Sequence, residues 1–108
     1  MNKGSVVIFA IFGIASSLSY AAYTNVSVEA AHDMWVGGVF LLDVRTPDEF
    51  NAERIAGAVN IWVEELESRL GELAGYEDTD ILVYCGVGGR SARAAGILSD
   101  HGFQKVFN

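Results

Sequence analysis

Two nearly unbroken apolar runs, residues 39–44 (VFLLDV) and 81–84 (ILVY), organise the chain. Runs of that kind suit strands covered on both faces. Around them the apolar positions switch to helical spacing. Residues 29–36 (EAAHDMWV) predict a helix with Ala30, Met34 and Val36 inward, stopped by Gly37 and Gly38. Thr46-Pro47-Asp48-Glu49 has the order of a capping box with proline in the first turn, so a short helix is expected through about Glu53. Val63, Leu66, Leu70 and Leu73 recur at helical intervals, and residues 90–100 (RSARAAGILSD) predict a further helix stopped near Gly102. Shorter strands are expected at 25–28 (NVSV), 57–61 (GAVNI) and 103–107 (FQKVF). Strands alternating with helices imply an α/β domain, a parallel sheet with helices on both faces. Ligands of such sheets gather at the carboxyl ends of the strands, and Cys85 lies at one of those ends.

The N-terminus follows a different pattern. Lys3 precedes an apolar stretch of 13 residues, 6–18 (VVIFAIFGIASSL), and Ser19-Tyr20-Ala21 follows with small residues at its first and third positions. That order describes a secretory signal peptide, and the stretch falls short of the roughly 18 residues of a spanning helix. Residues 1–21 are therefore expected to be a leader and 22–108 the mature domain, in a periplasmic or other extracytoplasmic compartment. An uncleaved leader acting as a membrane anchor is the alternative. With the leader removed, no stable membrane insertion is expected.

Charge narrows the partners. Residues 22–108 carry six Lys and Arg against 14 Asp and Glu, a formal charge of −8. So acidic a chain, with no basic cluster, repels nucleic acid and anionic lipid surfaces over a Debye length. Its single cysteine excludes an internal disulfide and leaves either intermolecular pairing or a reactive thiol.

The surroundings of Cys85 favour the reactive thiol. Cys85-Gly86-Val87-Gly88-Gly89-Arg90-Ser91 joins an apolar strand to a helix. Three glycines in four positions can take left-handed conformations that turn successive amides toward one point, and the helix start adds the positive end of its dipole. Arg90 is expected to place a permanent charge at the rim. Thiols at helix N-termini fall from about 8.5 to between about 3.5 and 7.5, and the thiolate is the nucleophile. Asp43 and Arg45, two apart at the end of the other apolar strand, point the same way and are expected to brace this cradle. His32 and His101 lack partners at metal-ligand spacing and read as solvated. Trp35 and Trp62 read as packing residues, and Glu64-Glu65-Leu66-Glu67 as a wet helix face.

Three segments in order resemble the rhodanese domain: Leu41-Leu42-Asp43-Val44-Arg45-Thr46-Pro47-Asp48-Glu49-Phe50, Ile55-Ala56-Gly57-Ala58-Val59-Asn60-Ile61, and the Cys85–Ser91 loop. The resemblance runs from about Val26 to the last residue. It implies a rhodanese-like parallel sheet and sulfur transfer through a Cys85 persulfide, from thiosulfate or a similar small anionic donor to cyanide or a thiol. It further implies that the amides of residues 86–90 hold the donor, that Arg90 attracts it, that Asp43 and Arg45 support the loop, and that no metal or organic cofactor is required. The loop counts six residues from Cys85 through Arg90. Related phosphatases and arsenate reductases use one more, so the count favours sulfur transfer. The rival reading is a rhodanese-like module of slight activity that binds a partner or senses oxidants.

The chain departs from the family at Arg54, Ala56 and Trp62, which stand where histidine and two prolines are common. Family members also continue past the final strand with a glycine-rich turn and another helix, whereas this sequence stops at Asn108. A C-terminal truncation and marginal stability are therefore expected. The acidic surface leaves the oligomeric state open.

Overall fold

The computed structural model describes residues 23–108; the expected leader, residues 1–21, lies outside the described residues. Five strands form one sheet in the order β1-β5-β4-β2-β3, and every pairing in it is parallel. They are β1 (Tyr23–Thr24), β2 (Phe40–Asp43), β3 (Val59–Asn60), β4 (Ile81–Tyr84) and β5 (Val106–Phe107). The helices are α1 (Val28–Val36), α2 (Pro47–Ala52), α3 (Val63–Leu66) and α4 (Gly89–Asp100), with a 3-10 segment at Glu67–Leu73. The chain is thus α/β, as its alternating pattern predicts.

The two apolar runs pair in the centre, with Leu41 opposite Leu82, Leu42 opposite Val83 and Asp43 opposite Tyr84. Successive side chains leave a strand on opposite faces. Leu42, Val44, Ile81, Val83 and Val106 enter the main core, which Val63, Leu66 and Leu73 close from one side and Ala94, Ala95 and Leu98 of α4 from another. Leu41 and Leu82 point to the opposite face, where with Ala31 and Trp35 of α1 they line a cavity of about 570 Å³. Helices therefore stand on both faces, but among the described residues only one face is tightly filled.

Several boundaries differ from expectation, each for a local reason. The strand expected at 25–28 is absent: Ser27 accepts from the Ala30 amide at 3.1 Å and caps α1, which begins at Val28. A capping serine thus outweighs the β-branched valines beside it. Val36, expected inward, is 68% exposed. The helix read from Val63 to Leu73 is one α turn followed by 3-10 geometry kinked at Arg69. Strand β5 keeps only Val106 and Phe107, because the Phe103 amide closes back on the Leu98 carbonyl at 3.1 Å and its ring enters the core. The capping box is formed as read: the Glu49 amide donates to Thr46 Oγ1 at 3.2 Å while Glu49 Oε1 accepts from the Thr46 amide at 3.0 Å. Trp62 packs against the core, whereas Trp35 is half exposed and donates from Nε1 to the Ala56 carbonyl at 2.9 Å.

Candidate active site

The chain leaves the sheet after Tyr84 and enters α4 at Gly89, so four residues, Cys85 to Gly88, must turn it. Gly88 carries that turn at φ +93°, a conformation that side chains rarely adopt. Gly86 and Gly89 do not share it: among the loop's three glycines only Gly88 has a positive φ. One left-handed residue suffices because α4 starts immediately and turns the following amides by itself.

Cys85 is half-buried. Its Sγ accepts from the Gly88 amide at 3.0 Å and the Ser91 amide at 3.3 Å. Ser91 is 2% exposed and lies at the floor of the loop, its hydroxyl donating to the Gly88 carbonyl at 3.0 Å. Burial of the thiol works against ionisation. The Ser91 hydroxyl and the amides of Ser91, Gly88 and Val87 outweigh it, so the thiol sits below its ordinary value. Gly86, Val87, Gly88 and Gly89 form the exposed part of the loop, with the Val87 side chain 91% exposed at its outer edge.

Arg90 is not a free cation at the rim. Its Nη1 donates to Glu49 Oε1 at 2.6 Å and its Nη2 to Glu49 Oε2 at 3.1 Å. The guanidinium lies beside Gly86, where an added Cβ would stand 3.8 Å from Nη2. Hydrogen bonds from Arg90 and Thr46 hold the Glu49 carboxyl down to about 2.

Asp43 and Arg45, expected to brace the cradle, form an ion pair with each other at the end of β2. Asp43 is fully buried and accepts from the Arg45 amide at 2.9 Å and from Arg45 Nη2 at 2.7 Å. Burial works against the Asp43 carboxylate, and the bonds from Arg45 and Tyr84 hold its carboxyl below the usual value. Arg45 Nη2 also donates to the Glu53 carbonyl at 2.6 Å, and Asn60 Nδ2 donates to the carbonyls of Asp43 and Arg45. This network ties the segment after α2 to the strand ends. It reaches the cysteine loop through Tyr84, the residue before Cys85, whose hydroxyl donates to Asp43 Oδ2 at 2.7 Å.

Glu49 and Tyr84 are the site residues that the sequence hides. Glu49 has a sufficient local explanation as a capping residue, and Tyr84 reads as the last apolar position of a strand. The available signal was topological: parallel pairing of β2 with β4 brings the first turn of α2 beside the cysteine loop.

A profile of the Rhodanese-like domain matches residues 26–108. The chain is 34% identical over 67 residues to "Thiosulfate sulfurtransferase PspE" of Escherichia coli (strain K12), covering 62% of this chain and 64% of that protein. It is 34% identical over 98 residues to "Thiosulfate sulfurtransferase 16, chloroplastic" of Arabidopsis thaliana, covering 77% and 78% respectively. Among solved structures, the "Human Single Domain Sulfurtranferase TSTD1" superposes with a TM-score of 0.68 at 28% identity, covering 78% of this chain and 86% of the human one. The chain spans slightly under two thirds of the length of PspE.

Proposed function

Because this chain belongs to the rhodanese-like domain family, we propose that it is a sulfurtransferase working through a persulfide on Cys85. The observation that carries the reading is Sγ of Cys85 facing two amide donors, at 3.0 and 3.3 Å, at the start of a helix. The thiolate attacks the outer sulfur of thiosulfate, a Cys85 S–S bond forms, and the donor's S–S bond breaks with its electron pair leaving on sulfite. The terminal persulfide sulfur then passes to cyanide or a thiolate as the Cys85 S–S bond breaks, and that electron pair restores the Cys85 thiolate. Charge is conserved in both steps, and neither calls for a metal or an organic cofactor.

The amides of Gly88 and Ser91 hold negative charge at Sγ before attack and on the persulfide after it. Gly86, Val87, Gly88, Gly89, Arg90 and Ser91 line the pocket for the donor, and the six-residue span from Cys85 to Arg90 suits a sulfane sulfur. Asp43 and Arg45 hold the strand ends on which the loop is mounted. For the leader we propose export, on the order of Lys3, the apolar stretch 6–18 and the small-residue exit at 19–21. Recovery of a processed chain beginning near residue 22 from the extracytoplasmic fraction is the expected result.

The test of activity is direct. Thiosulfate should add one sulfur atom to the intact mass, cyanide should remove it as thiocyanate, and Cys85→Ala should do neither. Persulfide formation without turnover would favour the sensing module. No sulfur adduct at neutral pH would sink the sulfurtransferase reading.

A further inference from the structure

The Glu49–Arg90 pair is the one ion pair that reaches into the cysteine loop among the described residues. Both carboxylate oxygens engage the guanidinium, the bidentate geometry that fixes orientation as well as distance. Glu49 is not free to leave, since Oε1 also accepts from the Thr46 amide and hydroxyl, each at 3.0 Å. The carboxylate is thus built into the first turn of α2 independently of Arg90.

We infer that Glu49 is a specificity-determining residue that cancels the charge of Arg90 and so weakens the loop's preference for doubly charged donors. A cysteine loop selecting dianions by charge would leave its arginine unopposed. Here the nearby alternative cation, Arg45, is itself held by Asp43 at 2.7 Å, and the chain as a whole carries a formal −7. Attraction for an anion is then left to the loop amides, of which those of Gly88 and Ser91 meet Sγ itself. The loop therefore reads the reacting sulfur more than the charge on the donor's body. The Glu49 carboxyl, at about 2, keeps the pair ionised throughout the neutral range.

This inference rests on the sulfurtransferase reading for the word donor, yet its test does not need turnover. Cys85 in the full chain is alkylated with iodoacetate and with iodoacetamide, and the ratio of the two rates is taken. The ratio cancels any change in the thiol's own ionisation and reports the field felt by an anion. Glu49→Gln keeps an acceptor for the cap, because glutamine also serves in capping boxes. It should raise the iodoacetate-to-iodoacetamide ratio about three- to tenfold at low salt, the scale of one unit charge at a solvent-exposed site. Arg90→Gln should lower the ratio by a similar factor, and the double variant should return near the native ratio because the pair removed is neutral. An unchanged or lowered ratio in Glu49→Gln, with cooperative unfolding retained, overturns the inference. So does a double variant that stays at either single variant's ratio. With thiosulfate, Glu49→Gln should lower KM. Loss of all turnover in the native chain would remove the functional reading and leave the alkylation result standing.

Discussion

Tyr84 donates its hydroxyl to Asp43 Oδ2 at 2.7 Å between residues that are register partners on adjacent parallel strands. The same hydroxyl accepts from the Ile55 amide at 3.2 Å. A single phenol therefore joins both central strands to the segment returning from α2. Asp43 is fully buried and Arg45 nearly so, and removing one member of a buried pair leaves the other uncompensated. Asp43→Asn should cost about 3 kcal/mol, the lower end for such a change, because Arg45 keeps some water contact. Tyr84→Phe, which removes a hydrogen bond to a charged group, should cost about 1.5–3 kcal/mol. Urea unfolding followed by tryptophan fluorescence measures both. Equal stability of Asp43→Asn and the native chain would show that the network carries no weight.

The loop glycines should separate sharply. At Gly88 there is room for a Cβ, but φ is +93°, so the penalty is conformational. Gly88→Ala should cost about 1–2 kcal/mol and shift the amide that meets Sγ, slowing alkylation of Cys85 at neutral pH. At Gly89 there is room and the residue is already helical. Gly89→Ala should be neutral or stabilising by up to about 1 kcal/mol. If the two variants behave alike in unfolding and alkylation, the left-handed turn is not what holds the loop.

The contrast between these glycines marks how far the sequence could be read. Cys85, the loop after it and the two central strands follow from local pattern, because a buried parallel strand leaves an apolar run that little else produces. What Arg90 touches does not follow. Its partner lies 41 positions away, in a residue whose capping role already explains it. Likewise Asp43 and Arg45 were legible as a pair at a strand end, but their further partners, the Tyr84 hydroxyl and the Glu53 carbonyl, depend on strand order. The misplaced first strand failed for the opposite reason. There the deciding contact, Ser27 to the Ala30 amide, is wholly local and was overshadowed by two valines.

Acid should weaken the fold through these same carboxylates. Glu49 and Asp43 both have folded values below their ordinary ones of 4.5 and 3.8, Glu49 reaching about 2. A depressed carboxylate contributes stability that is complete above its unfolded value and disappears as pH falls through its folded value. Unfolding midpoints in urea should therefore show little of this loss between pH 7 and about 5, then fall between about 4.5 and 2. Glu49→Gln should flatten part of that fall. A midpoint that declines just as steeply in Glu49→Gln would mean that Glu49 is not among the groups responsible.

The Cys85 thiol offers the most direct reading of the loop's electrostatics. Its partial burial opposes ionisation, and the Ser91 hydroxyl together with the amides of Ser91, Gly88 and Val87 reverses that effect. The rate of alkylation by iodoacetamide follows the thiolate fraction, so its pH profile should have a midpoint below that of an ordinary thiol. Ser91→Ala removes the hydroxyl and keeps the amide at 3.3 Å, so the midpoint should rise without losing the site. Because Ser91 is buried and its hydroxyl also bonds the Gly88 carbonyl, unfolding of the same variant must be followed in parallel. A raised midpoint with native unfolding identifies the hydroxyl as a stabiliser of the thiolate. A midpoint at or above that of an ordinary thiol in the native chain would contradict the amide-held thiolate on which sulfur transfer depends.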